Sequence, residues 1–224
     1  SALTSADSID FITILGDTLD LGVPSDDTVG AAQIKADLIS GTTALSSAPA
    51  DTDEFLVSDA GVLKRIDYSL IKAANTPIFE AAITSNQSVS DDTATKAQFA
   101  SEVIDTDSAY DNSTNYRFTV PSGAGGKYFL FLKLQIDCEA NSNLDTAKAF
   151  IYKNGSAFSS PTNFGQSEIS FLSNPIRESE IVVSIIADLS AGDYIEAYGA
   201  MEASDSSGGH FGSYSVFKGY KLIT

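Results

Sequence analysis

The 224-residue chain has one cysteine, one histidine, one methionine and no tryptophan, and its thirty acids far outnumber its thirteen bases. Each scarcity excludes something. A single cysteine, Cys138, rules out an intrachain disulfide and an all-cysteine zinc site, so stability must come from core packing and subunit association. The sole histidine, His210, sits in the glycine-rich stretch Ser206-Ser207-Gly208-Gly209-His210, an exposed loop by this reading, with no sign of a nucleophile and positioned base. The shortage of bases leaves a net charge of −17, and so acidic a surface repels a phosphate backbone, which excludes nucleic acid as a partner. No run approaches the roughly eighteen apolar residues of a spanning helix, and the N-terminus lacks a basic-then-apolar leader, so no membrane insertion is expected. The start at Ser1 rather than Met suggests processing or excision. There is no phosphate loop, dinucleotide fingerprint or zinc-spaced cluster. Thirty carboxylates always offer some pair at glycosidase spacing, so such a pair carries no information. The expectation is a protein that is not an enzyme and needs no cofactor.

What is present is 43% hydrophobic and 10% aromatic residues, a globular composition for one or two domains. Residues 1–50 are rich in Asp, Ser, Thr, Ala and Gly and read as an acidic shaft, linker or anchor that forms no core alone. Ala31, Ile34 and Leu38 fall at helical spacing within it. Residues 51–76 change character. Phe55-Leu56-Val57-Ser58 and Val62-Leu63-Lys64-Arg65-Ile66 flank Asp59-Ala60-Gly61, which predicts a β-hairpin, followed by a short helix from Tyr68 to Ala74 that stops before Pro77.

Residues 77–224 read as strands. Thr95, Ala97, Phe99, Ser101 and Val103 alternate with polar neighbours over a single strand. Tyr128, Leu130, Leu132, Leu134, Ile136 and Cys138 form one apolar face of another, whose second face runs Phe129, Phe131, Lys133, Gln135, Asp137. Two phenylalanines on a face that should be wet point to subunit contact. Turns at Pro121–Gly126, Lys153–Gly155, Asn174-Pro175, Ala191–Asp193 and Ser206–Gly209 punctuate the region, and no long helices alternate with the strands. That pattern predicts a mainly β, antiparallel sandwich or jelly roll.

These segments resemble the trimeric jelly rolls of the tumour-necrosis-factor and complement-subcomponent-q superfamily. The resemblance rests on an ordered set: Pro77-Ile78-Phe79, Thr95–Phe99, Tyr110-Asp111-Asn112, Phe118–Pro121, Gly126–Phe131, Ile151–Gly155, Leu189–Ile195 and Phe217–Leu222. It implies a ten-stranded jelly roll assembled as a homotrimer. Phe129, Phe131, Tyr194 and Tyr198 are then the candidates for the trimer interface, with Ile195 and Ala197 facing the core; the alternative for the two tyrosines is plain surface exposure. Some superfamily members bind calcium, and Asp105, Asp107 and Asp111 offer hard oxygen ligands, against the alternative of a solvated acidic turn.

Asp51-Thr52-Asp53-Glu54-Phe55-Leu56-Val57-Ser58 through Tyr68 resembles a segment of tail-fibre and other virion-surface proteins of aquatic bacteriophages, where it precedes a C-terminal head. The resemblance implies a location on the virion surface, other virion proteins as partners of the N-terminal segment, and a host-surface glycan or protein as receptor of the head. Loops carry such binding and aromatics stack on sugars, which makes Tyr110, Tyr116, Phe158, Phe164, His210 and Tyr214 the receptor candidates, with closure of the sandwich ends as their alternative role. A capsid decoration or fibre-attachment protein and a secreted trimeric lectin-like ligand are the competing readings. Four bases against twelve acids leave −8 in residues 1–76, and nine against eighteen leave −9 in residues 77–224. Any assembly of copies must overcome that repulsion.

Overall fold

The computed structural model describes residues 34–72, 74–138, 142–160 and 163–223. The chain forms two units, one ending at Ile71 and one running Lys72–Thr224.

In the first unit a single helical turn, α1 (Asp37–Ser40), carries the exposed Leu38; Ala31 of the expected apolar stripe lies outside the described residues. The expected hairpin is present as β1 (Glu54–Asp59) and β2 (Val62–Asp67). Its two-residue tip, Ala60-Gly61, has φ of 51° and 85°, the left-handed pair that a tight hairpin turn needs to match strand twist. The helix expected over Tyr68–Ala74 shrinks to one 3₁₀ turn, Tyr68–Leu70, which lacks a side-chain cap on its first turn.

The second unit contains β3 (Ile78–Ala82), β4 (Gln87–Val89), β5 (Thr95–Lys96), β6 (Ser101–Asp105), β7 (Tyr110–Asp111), β8 (Arg117–Thr119), β9 (Gly126–Asp137) and β10 (Leu144–Lys153). Next come the short β11 (Ser156–Ala157), β12 (Ser159–Ser160) and β13 (Asn163–Phe164), then β14 (Gln166–Ser170), β15 (Glu178–Leu189), β16 (Tyr194–Ala203), β17 (Gly209–Phe211) and β18 (Val216–Lys221). They build two antiparallel sheets. The first has the order β6-β3-β18-β9-β15, with β17 and β4 added beside β9. The second has the order β7-β8-β16-β10-β14, with β5 and β11 added. Each sheet has seven strands, more in all than the ten expected, because short strands are added; the fold class is borne out: mainly β, antiparallel, a sandwich.

Alternation decides what lies between the sheets. Tyr128, Leu130, Leu132, Leu134 and Ile136 of β9 are fully buried, as are Ala147, Ala149 and Ile151 of β10, and Ile195 and Ala197 of β16 face the same core as expected. At one end the core is aromatic. Phe79 stacks on Phe118 at 4.5 Å and on Tyr110 at 5.6 Å, and meets Phe217 edge-on at 5.1 Å, contacts that add roughly 1 kcal/mol each beyond area burial.

Two expectations are corrected by the tertiary fold. The strand read over Thr95–Val103 is two short strands in different sheets: β5 pairs with β16 and β6 with β3, so residues 97–100 cross from one sheet to the other and Ala97 and Phe99 plug the gap. Gln135 and Asp137, expected on a wet face, are buried because β17 and the turn at Gly212–Ser215 close over that end of β9.

Candidate interaction faces

The outward side of the first sheet is read from its register. Ile186, Phe129, Tyr220 and Ile78 stand side by side across β15, β9, β18 and β3. The next row is Ser184, Phe131, Lys218, Glu80 and Ile104, and the one after it Val182, Lys133, Val216 and Ala82. Val182 and Ile186 are 48% and 50% exposed. Phe129 meets the ring of Tyr220 at 5.5 Å, and a hollow of about 200 Å³ opens beside them against Ile78. The lysines of these rows are matched, Lys133 to Glu180 at 3.1 Å and Lys218 to Glu80 at 3.5 Å, and beyond the first row Lys127 pairs with Asp188 at 3.0 Å. Such exposed pairs add little stability, but they cancel charge. On a chain of −17 this is an apolar face with its charges closed.

The outward side of the second sheet is different. Tyr152 stacks on Tyr198 at 4.1 Å, Phe150 meets Tyr152 edge-on at 6.3 Å, and Lys96 lies 5.8 Å from the Tyr198 ring. Arg117 covers the ring of Tyr194 at 4.2 Å. Beneath them the buried Glu196 carboxylate accepts from Lys96, and burial is the larger cause that raises the Tyr198 phenol, ahead of Glu196 itself. The four residues expected at one trimer interface are thus split: Phe129 and Phe131 on the first sheet, Tyr194 and Tyr198 on the second, facing away from each other. Phe150 and Tyr152 were not singled out from sequence, although Lys148, Phe150 and Tyr152 alternate there with buried Ala147, Ala149 and Ile151.

The receptor candidates scatter. Tyr110 is a core residue of β7, not a loop residue: its hydroxyl donates to the Phe99 carbonyl at 3.3 Å, and burial, then the Asp111 charge, hold its phenol above the usual tyrosine range. His210 is likewise corrected. It lies in β17 between β4 and β9, buried, with Nε2 3.7 Å from the Asp137 carboxylate, to which Arg177 also approaches at 3.4 Å. Tyr116 is half-buried, Phe158 packs against the core, and Tyr214 is exposed beside Gln135, Glu178 and Glu180. Phe164 belongs to β13, and its side chain lies outside the described residues.

The acidic turn spends its oxygens on its own backbone and neighbouring side chains. Asp105 accepts from the Ala109 and Tyr110 amides at 3.0 and 2.8 Å, and Asp107 from the Thr106 hydroxyl at 2.5 Å. Asp111 accepts from the amides of Thr114, Ser113 and Asn115 and from the Asn115 side chain, bonds that hold its carboxyl well below the usual range. Among the described residues no group of three or more His, Cys, Asp or Glu is arranged to hold a metal ion.

Asp193 does similar work at the β15–β16 turn, where Lys153, the Asn154 amide and the Ser190 backbone bring its pKa from 3.8 to about 2. A carboxylate whose pKa falls on folding stabilises above its unfolded value and loses that contribution as pH drops through the folded one. Wild-type stability should therefore decline between about pH 4 and pH 2. Asp193→Asn should be less stable near neutrality and show a shallower decline over that window in chemical denaturation; an unchanged slope would show that this turn does not couple to folding.

No family model matches the sequence, and no curated protein matches it. Among solved structures, the chain is similar to murine APRIL, determined at pH 5.0, with 12% identity over 65% of this chain and 98% of that chain and a TM-score of 0.46. It is similar to the globular domain of the zebrafish complement 1qA protein, with 13% identity over 66% of this chain and 98% of that chain and a TM-score of 0.42. It is similar also to Eiger TNF from S. frugiperda, with 15% identity over 65% of this chain and 90% of that chain and a TM-score of 0.44.

Proposed function

We propose that this chain is a non-enzymatic homotrimeric binding protein of a bacteriophage surface, the head of a tail fibre that recognises a receptor on the host cell. The observation that carries the trimer is the first sheet's outward face. The row Ile186–Phe129–Tyr220–Ile78 is apolar where a monomeric sandwich turns polar residues to water, and its neighbouring lysines are already matched by carboxylates. Copies that meet there bury hydrophobic surface without opposing like charges. Phe129 and Phe131 belong to that interface; Tyr194 and Tyr198 belong to the second sheet and with Phe150 and Tyr152 remain for the receptor, together with loop residues such as Tyr214. Three copies multiply contacts that are individually weak. The virion setting is supported by the sequence of the Asp51–Tyr68 segment.

Binding of the purified chain to whole host cells, and its competition with phage adsorption, tests the reading. A trimer that neither adheres nor competes contradicts it. The separate unit ending at Ile71 favours one second reading, an anchoring role in which the head is a decoration. Removing residues 1–76 separates the two: an anchor loses virion incorporation, whereas a receptor-binding head keeps its adhesion.

Salt should strengthen the assembly. Three copies carry −51, and screening over a Debye length of about 10 Å at 0.1 M weakens their mutual repulsion while leaving hydrophobic contact intact. The dissociation constant measured by sedimentation should fall as NaCl rises to about 0.3 M. A steady rise would mean that interfacial ion pairs dominate instead.

A further inference from the structure

The hairpin β1–β2 has an unusual surface for a piece of chain so small. Phe55, Leu56, Val57, Val62 and Leu63 are 41, 76, 39, 59 and 69% exposed. A two-stranded hairpin is at best marginally stable in water by itself, and one that leaves both faces uncovered gains little from burial. The register divides its side chains. Phe55, Val57, Val62 and Ile66 share one face with the Asp59–Lys64 ion pair, and the Tyr68 ring lies 6.1 Å from Phe55. Leu56 and Leu63 share the other with Glu54, Ser58, Arg65 and Asp67.

Charge selects what can cover the Phe55 face. Lys64 pairs with Asp59, and Arg65 with Glu54 at 3.1 Å, so residues 54–67 carry only −1 although residues 1–53 carry nine acids and one base. Copies of the chain repel one another over the acidic stretch but not here. A separate partner would also pay the full translational and rotational cost of association, whereas copies joined by their sandwiches meet at high effective concentration.

We propose that the hairpins of three copies pack against one another through the Phe55 face, making this segment a second assembly site distinct from the sandwich. The inference rests on the homotrimer proposed above. Its face carries Phe55, Val57, Val62 and Ile66 inward, with Asp59 and Lys64 neutralising each other on the same side, and leaves Leu56 and Leu63 outward.

The test uses the full chain with single cysteines, Val57→Cys and Val62→Cys on the inner face and Leu56→Cys on the outer one. The native Cys138 stays silent, because it is buried and burial pushes its thiol up to about 11. With a short bismaleimide at micromolar protein, the two inner-face variants should give a dimer band holding up to about two-thirds of the chains, since two of three cysteines can be bridged, and Leu56→Cys should react at least about tenfold more slowly. Mass measured by sedimentation separates the failures. A trimer in which no inner-face cysteine cross-links, or in which Leu56→Cys cross-links equally fast, overturns the hairpin inference and leaves the sandwich trimer standing. A monomer overturns both. An inner-face cysteine protected from a small maleimide without cross-linking shows that another segment or partner covers the face, and also overturns the proposal.

Discussion

Ile186→Glu should turn the trimer into monomers without harming the sandwich. Ile186 is half exposed on β15, so in the single chain the substitution exchanges one solvent-facing side chain for another, a change within roughly 0.5 kcal/mol. In the assembly the same position lies in the row with Phe129 and Tyr220, where three carboxylates would enter an apolar contact with no cation free in the adjoining pairs. Burying a charge without a new partner costs about 3–5 kcal/mol, and each 1.4 kcal/mol is a tenfold change in affinity, so dissociation should rise by at least about a hundredfold. Gln166→Glu, on the outward side of the second sheet, adds the same charge outside the proposed contact and should leave the mass unchanged. If both variants dissociate, the effect is global charge rather than the first sheet's face.

The second large effect lies in the core. Gly199 sits in β16 opposite Ala149, and a Cβ there would stand 2.3 Å from Leu134 Cδ2 and 2.7 Å from Phe211 Cζ. Both neighbours are fully buried and come from the opposite sheet, so neither can withdraw without opening the layer between the sheets. Gly199→Ala should lose about 3 kcal/mol, near the upper end of overpacking costs, and Gly199→Val should fail to fold. Gly192 is the control. Its φ of 87° strains an alanine by about 1 kcal/mol, but nothing lies within 4 Å of its Cβ. Urea midpoints in the order wild type, Gly192→Ala, Gly199→Ala are expected; equal losses at the two glycines would mean that the sheets separate easily at β16.

The hairpin and the buried face of β9 were legible because each is written in local alternation: Leu130, Leu132 and Leu134 repeat at the strand period, and Asp59-Ala60-Gly61 marks the turn. What could not be read is anything that depends on where a segment goes after it leaves the sheet. Ala97 and Phe99 continue the period of Thr95, yet the backbone there is crossing between sheets. Tyr110 and His210 sit among turn residues, and only the stack on Phe79 and the pairing of β17 with β9 bring them inside. The Phe129–Phe131 face was visible as an anomaly in one strand. Its extent was not, because Ile186, Tyr220 and Ile78 are brought beside it by non-local pairing alone. The same limit explains why Tyr194 and Tyr198 were grouped with it: side-chain type is local, and membership of a sheet is not.

Native mass spectrometry at micromolar concentration tests self-association most directly. A chain of 23.6 kDa should appear at three times that mass, about 71 kDa, and Ile186→Glu should appear at the single-chain mass. A wild-type chain that remains at 23.6 kDa in moderate salt would contradict the account.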